Sequence, residues 1–225
     1  MYLSIDVRRR PYSFIADAPP GAEVRLKPGT WHESLLTYVG GDPRARDAIE
    51  SQMRSLAEQA GTTLNYDVYT QWQPVESQRT LLWAARQGKQ EEFMSALSKR
   101  HFTERKSASE RSTILEAAEE AGLDVGALDA WLDTDELVDE VWKSYGETIH
   151  VHHIHSIPYF VFNHDGPAKY TNGGPWGDGS EGAVMHQGSG SNEQFYRLLL
   201  AMVDAELRAA NGAGQGAEAD VAPSI

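Results

Sequence analysis

The order of patterns along the chain predicts an α/β fold carrying a large helical insertion. Three observations lead there. Residues 2–14 alternate, with Leu3, Ile5 and Val7 on one face and Ser4 and Asp6 on the other. Residues 43–149 read as a succession of helices. At Ile157 the period switches back from 3.6 to 2, and a second short strand and an amphipathic helix follow.

Each element has a local reason. The alternation at residues 2–14 is that of a half-buried strand, limited by Pro11, which has no N–H for a ladder. Residues 16–34 are rich in turn formers (Pro19-Pro20-Gly21, Pro28-Gly29), with a weak strand pattern at Glu23–Lys27. Asp42-Pro43 is an N-cap followed by proline at the first helical position. The helix it opens is expected to run to Ala60 and stop at Gly61. Further helices are expected from about Pro74 to Gln87, ending at Gly88, and over Gln90–His101. Ser107 and Glu110 form a capping-box pattern for a helix that stops at Gly122. A short helix follows at Val125–Leu132. Thr134 or Asp135 is expected to cap the last helix of the block, with Leu137, Val138, Val141, Trp142 and Tyr145 on its apolar stripe.

Ile157–Phe162 is an aromatic, β-branched strand introduced by Pro158. Residues 164–182 form a glycine- and proline-rich loop, and Ala183–Gln187 a short strand. Ser191 and Gln194 are a second capping box, opening a helix expected to end near Ala210. Residues 211–225 have no periodicity and are expected to be a disordered tail.

Composition excludes several function classes. Twenty Lys and Arg against thirty-three Asp and Glu give a net charge of −13, which repels phosphate backbones and anionic lipid, so neither nucleic acid nor membrane is an expected partner. No apolar run approaches the roughly 20 residues of a membrane span. The apolar stretch at the start gives way at once to Arg8, Arg9 and Arg10, unlike a secretory core, and a cytoplasmic location is expected. The chain has no cysteine. Thiolate metal sites, cysteine nucleophiles and dithiol redox centres are therefore outside its chemistry.

The densest polar cluster is His150, His152, His153 and His155, half of the eight histidines. Imidazole suits zinc, copper and nickel. Yet His152 and His153 are adjacent and diverge on any regular element, and no carboxylate stands at a ligand spacing, so no metal is expected. A pH-responsive patch is the other reading. Residues 172–182 are glycine-rich but lack the lysine and hydroxyl residue of a phosphate loop. Asp133–Glu140 reads as a solvated first turn, favoured by the helix dipole. Trp72, Trp83, Trp131 and Trp142 are expected in the core of the helical layer.

Two stretches carry a family resemblance. His101-Phe-Thr-Glu104 followed by Ile114–Asp124 is similar to the helical insertion of the DsbA-like thioredoxin-fold family, FrnE type, and Arg79, Leu81 and Ala84 resemble its preceding helix. Ile157-Pro-Tyr-Phe-Val-Phe162 resembles the family strand that begins with a cis-proline. The resemblance covers about residues 1–210. It implies a thioredoxin-like sheet, with residues 43–149 as the insertion, and the activity of a thiol-disulfide oxidoreductase. It also implies that the backbone edge at Ile157-Pro158 pairs with bound peptide or glutathione. On that basis the substrate-binding residues are expected to be Ser156, Ile157, Pro158, Trp72 and Arg79, with no catalytic residue and no cofactor.

The departures are equally informative. The family's first strand and its Cys-x-x-Cys helix have no counterpart here, and only Arg79 remains of the pattern the family places at residues 73–79. A truncated sequence, a substitute segment such as Glu23–Lys27, and a degenerate member that relies on a partner are the three explanations. Two alternatives to an oxidoreductase follow. One is a non-catalytic module that binds a peptide or partner at the proline loop. The other is a relative of the glutathione-dependent isomerases and kappa-class transferases, which use serine on the same missing helix.

Overall fold

The computed structural model describes residues 5–13, 28–71, 73–162, 184–188 and 190–216. The chain divides into two compact units, residues 1–147 and 148–225.

The first unit is helical. Thr30 caps α1 (Trp31–Tyr38) through a full capping box: its hydroxyl accepts from Glu33 N at 3.1 Å, and its own N–H donates to the Glu33 carboxylate at 2.9 Å. This helix was not anticipated. Asp42 caps α2 (Pro43–Gln59), accepting from Arg44 N, and the chain turns away at Gly61 with φ +74°. A two-residue antiparallel ladder joins β1 (Pro28–Gly29) to β2 (Thr70–Gln71). Then come α3 (Val75–Ala85), α4 (Gln90–Ser98) with a π-turn at Lys99–Thr103, α5 (Arg111–Glu120), α6 (Val125–Leu132) and α7 (Val138–Gly146).

The core lies where α3, α4, α5 and α6 meet, on Leu81, Phe93, Leu97, Ile114, Leu128 and Leu132. These residues recur at helical spacing, so each helix presents one apolar stripe inward. Trp83 and Trp131 lie beside this core with ring centroids 5.8 Å apart, and Trp142 meets the buried Tyr145 edge to face at 5.4 Å. Trp72 lies outside the described residues.

Several local expectations are corrected. Residues 5–13 form no strand and join no ladder, and Ile5 and Val7 are 59% and 46% exposed. Side chains of the helical layer take the place of a neighbouring strand here. Arg9 N donates to Gln90 Oε1 at 2.7 Å, Gln90 Nε2 donates back to Arg9 O at 3.1 Å, and Ser144 Oγ donates to Pro11 O at 2.8 Å. Glu23–Lys27 lies outside the described residues.

The Ser107 capping box does not form. Ser107 Oγ accepts from Ser109 N instead, and α5 begins only at Arg111. Neither Thr134 nor Asp135 caps α7. Its N-cap is Leu137, in the left-handed region at φ +67°, because Thr134 Oγ1 is engaged with Trp131 O and Glu136 N in the preceding turn.

The second unit holds the other strands. A π-turn at Glu147–Val151 leads toward β3 (Tyr159–Phe162), which pairs antiparallel with β4 (Val184–Gln187). Tyr159 faces Gln187, Phe160 faces His186, Val161 faces Met185 and Phe162 faces Val184. The Ser191 capping box is made on both sides, with Ser191 N donating to Gln194 Oε1 at 2.7 Å and Gln194 N to Ser191 Oγ at 3.3 Å. It opens α8 (Asn192–Gly216), which continues past Ala210. Residues 211–216 are thus helical rather than a structureless tail, and residues 217–225 lie outside the described residues.

Candidate functional site

Phe160 and Phe162 sit on one face of β3 because strand side chains alternate. Both rings pack on Phe195 of α8, with centroids 5.0 and 6.4 Å away, and His186 adds its ring at 5.2 Å. Gly190 passes so close that an added Cβ would come within 3.0 Å of Phe195 Cε2. On the other face Tyr159 OH donates to Met185 Sδ at 3.0 Å, and burial pushes its phenol up. The hairpin is therefore anchored on both faces, which fixes the residues that lead into it.

Those residues are Ser156, Ile157 and Pro158. Gln187 Nε2 donates to Ser156 Oγ, and Gly188 N donates to Pro158 O at 2.8 Å, so the ladder closes one pair beyond the strand. The Ile157–Pro158 peptide bond is cis. Ile157 is 47% exposed and Pro158 is exposed beside it. Because residues 158, 160 and 162 turn their backbone groups toward β4, the backbone N–H and C=O of Tyr159 and Val161 turn to the opposite edge. No strand pairs with that edge among the described residues.

The histidines precede this edge. Ile154 is buried, and its N–H donates to Thr148 O at 3.0 Å, tying the segment back to the π-turn. His153 adopts φ +53°, and the exposed rings of His153 and His155 lie 6.4 Å apart and 31° from parallel. Among the described residues no group of three histidine, aspartate or glutamate side chains is arranged to hold a metal ion.

Arg79, expected at the substrate surface, is placed elsewhere. It is 2% exposed, within the first unit. Its guanidinium donates to Leu132 O at 2.6 Å, Thr134 O at 2.7 Å and Glu136 O at 3.3 Å, and to the Glu76 carboxylate at 2.7 and 3.0 Å. It also lies over the Trp131 ring at 4.6 Å. Three of these hydrogen bonds hold the end of α6 and the turn after it, and two engage Glu76 on α3 itself, so Arg79 has a packing role and no donor left for a substrate. Trp72 and residues 172–182 lie outside the described residues.

The sequence reading missed one charged cluster. Glu50 is buried on α2. It meets His32 Nδ1 at 2.6 Å through one oxygen and Arg54 Nη2 at 3.1 Å through the other, and Arg54 lies over the ring of the buried Tyr66. The signal was the i, i+4 spacing of Glu50 and Arg54 on one helix face. Burial pushes the Tyr66 phenol up, and Glu50 adds to this while Arg54 opposes it.

No curated protein matches the chain. Residues 4–168 match the family model described as the DSBA-like thioredoxin domain. That span contains the helical block, the Ser156–Pro158 segment and β3, so the chain belongs to the DSBA-like thioredoxin family and has its α/β, thioredoxin-like fold with a helical insertion.

Proposed function

We propose that this protein is a cysteine-free member of its family that binds extended peptide or protein segments and does not exchange thiols. The observation that carries this reading is the outer edge of β3. The backbone groups of Tyr159 and Val161 face away from β4, next to the exposed Ile157 and Pro158. An extended chain laid along such an edge gains main-chain hydrogen bonds, and its side chains are read by neighbouring residues. Thiol exchange needs a thiolate, and the chain has none.

Within this reading, residues 1–210 form one thioredoxin-type domain with residues 43–149 as its insertion. The FrnE subtype rests on His101–Glu104 and Ile114–Asp124. The cytoplasm is the compartment assigned, since a chain without cysteine gains nothing from an oxidising one. No helix among the described residues is long and apolar enough to cross a membrane.

The test is binding of an immobilised library of unstructured peptides, followed by amide shift mapping with a selected binder. Shifts at Ile157, Tyr159 and Val161 are expected. Val161→Pro removes one outward N–H and leaves the β4 ladder untouched, so it should abolish binding with the hairpin intact. Binders that map only to the first unit would overturn the assignment.

A further inference from the structure

The histidine cluster is not absorbed by a bare strand edge. His153, His155 and Ile157 are all exposed, while Ile154 between them is buried and Ser156 half-buried. His153, His155 and Ile157 therefore emerge toward solvent, and the imidazole pair leads directly into the exposed Ile157-Pro158 segment. Neither ring has a carboxylate partner among the described residues. Residues 148–164 contain no aspartate or glutamate, although the chain as a whole carries a charge of −13. Among the described residues, the charged groups nearest in sequence are already engaged: Glu147 faces Lys143 at 3.6 Å, and on α8 Glu193 pairs with Arg197 at 2.7 Å. On the hairpin, the ring of His186 is enclosed by Phe160 and Phe195.

We infer that the Ser156–Pro158 edge selects extended peptides with an acidic residue placed against His153 and His155. This rests on the peptide-binding reading above and adds its charge specificity. The argument is charge complementarity. A segment free of carboxylates within an acidic protein is where an acidic ligand meets least repulsion, and two imidazoles there supply N–H donors to a carboxylate. Imidazole gains positive charge in acid, so the preference strengthens as pH falls. A metal ion is the other ligand for exposed imidazoles. The two rings supply only two ligands, and among the described residues no third group joins them to hold a metal ion, so the acidic peptide is the occupant we assign.

The experiment uses the full chain and a peptide selected on the edge, prepared with glutamate, glutamine or lysine at the position opposite the histidines. Affinities are measured by titration calorimetry at about pH 8 and about pH 5.5, either side of the imidazole range. The glutamate peptide is expected to bind roughly 2–5-fold tighter than the glutamine peptide at the lower pH, a gap of the size of an exposed ion pair. The gap should shrink at the higher pH and in added salt. It should vanish in the double variant His153→Asn, His155→Gln, where asparagine tolerates the positive φ of residue 153. Equal binding of the glutamate and glutamine peptides overturns the charge preference and leaves the edge site standing. A gap that survives in the double variant overturns the role of these two histidines. Failure of all three peptides overturns the edge site, and this inference with it.

Discussion

The carboxamide of Gln90 exchanges two hydrogen bonds with the backbone of Arg9, donating to its carbonyl at 3.1 Å and accepting from its N–H at 2.7 Å. A side-chain amide thus reproduces the reciprocal pairing that a neighbouring strand would give. It does so from the first turn of α4, 81 residues away in sequence. The Arg9 guanidinium reinforces the contact by gripping the Glu91 carboxylate at 2.5 and 2.9 Å.

Replacing Gln90 by leucine should detach this segment without unfolding the helices. Two backbone groups lose their partners, at a cost of about 1–3 kcal/mol. Hydrogen exchange at residues 5–13 should rise, while amides in α4 and α5 keep their protection. Unchanged exchange at Arg9 would show that Gln90 does not hold the segment.

Arg79 should behave as a structural keystone. Arg79→Met leaves the carbonyls of Leu132, Thr134 and Glu136 short of a donor inside the protein. The expected loss is about 1–3 kcal/mol for each buried carbonyl left without a donor. Arg79→Lys should recover only part of it, because one ammonium cannot span the carbonyls that a planar guanidinium reaches. Urea denaturation of both variants checks the order.

His101 makes stability depend on pH in a definite sense. Burial holds its imidazole below the ordinary value, and its Nδ1 accepts from Ala108 N at 3.3 Å. In the unfolded chain the imidazole titrates near its ordinary value, about 6.5. The unfolded state therefore takes up the proton first. The contribution is complete above about 6.5 and is lost as pH falls from there toward the lower folded value. Asparagine keeps the acceptor and removes the titration, so His101→Asn should flatten that part of the curve. A curve with the same slope in wild type and variant would assign the dependence to other groups.

Purified chain should not reduce insulin or oxidise a reduced substrate above background, since no sulfur nucleophile is present. Turnover in the absence of any contaminating oxidoreductase would refute this. The measurement also separates family membership from family activity, which depends on a site and not on a fold.

The legible parts of the fold are those with local punctuation. Gly61, Gly88 and Gly122 stop their helices with positive φ, as the sequence predicts. The switch at Ile157 marks β3, and the box at Ser191 opens α8. Punctuation also misleads. Thr30 and Glu33 carry a capping box that was hidden among turn formers, whereas Ser107 and Glu110 show the same spacing without forming one. Both patterns are consistent with a cap, and the surrounding chain decides between them.

At the candidate site, Ser156, Ile157 and Pro158 were readable because they are contiguous. Arg79 was misplaced because its partners, Leu132 and Thr134, lie more than fifty residues on. No periodicity reports such a contact. The same holds for Ser144, whose hydroxyl meets Pro11 across 133 residues.

The Trp83 and Trp131 rings, 5.8 Å apart and 33° from parallel, with the Arg79 guanidinium over Trp131, are an optical instrument built into the first unit. Indoles that close couple their electronic transitions. The resulting circular-dichroism band records the mutual orientation of α3 and α6 and owes nothing to the hairpin that carries the peptide edge. Peptide titrations that leave this band unchanged would report binding without rearrangement of the helical layer. A change in its sign or amplitude would reveal that occupation of the edge is sensed there.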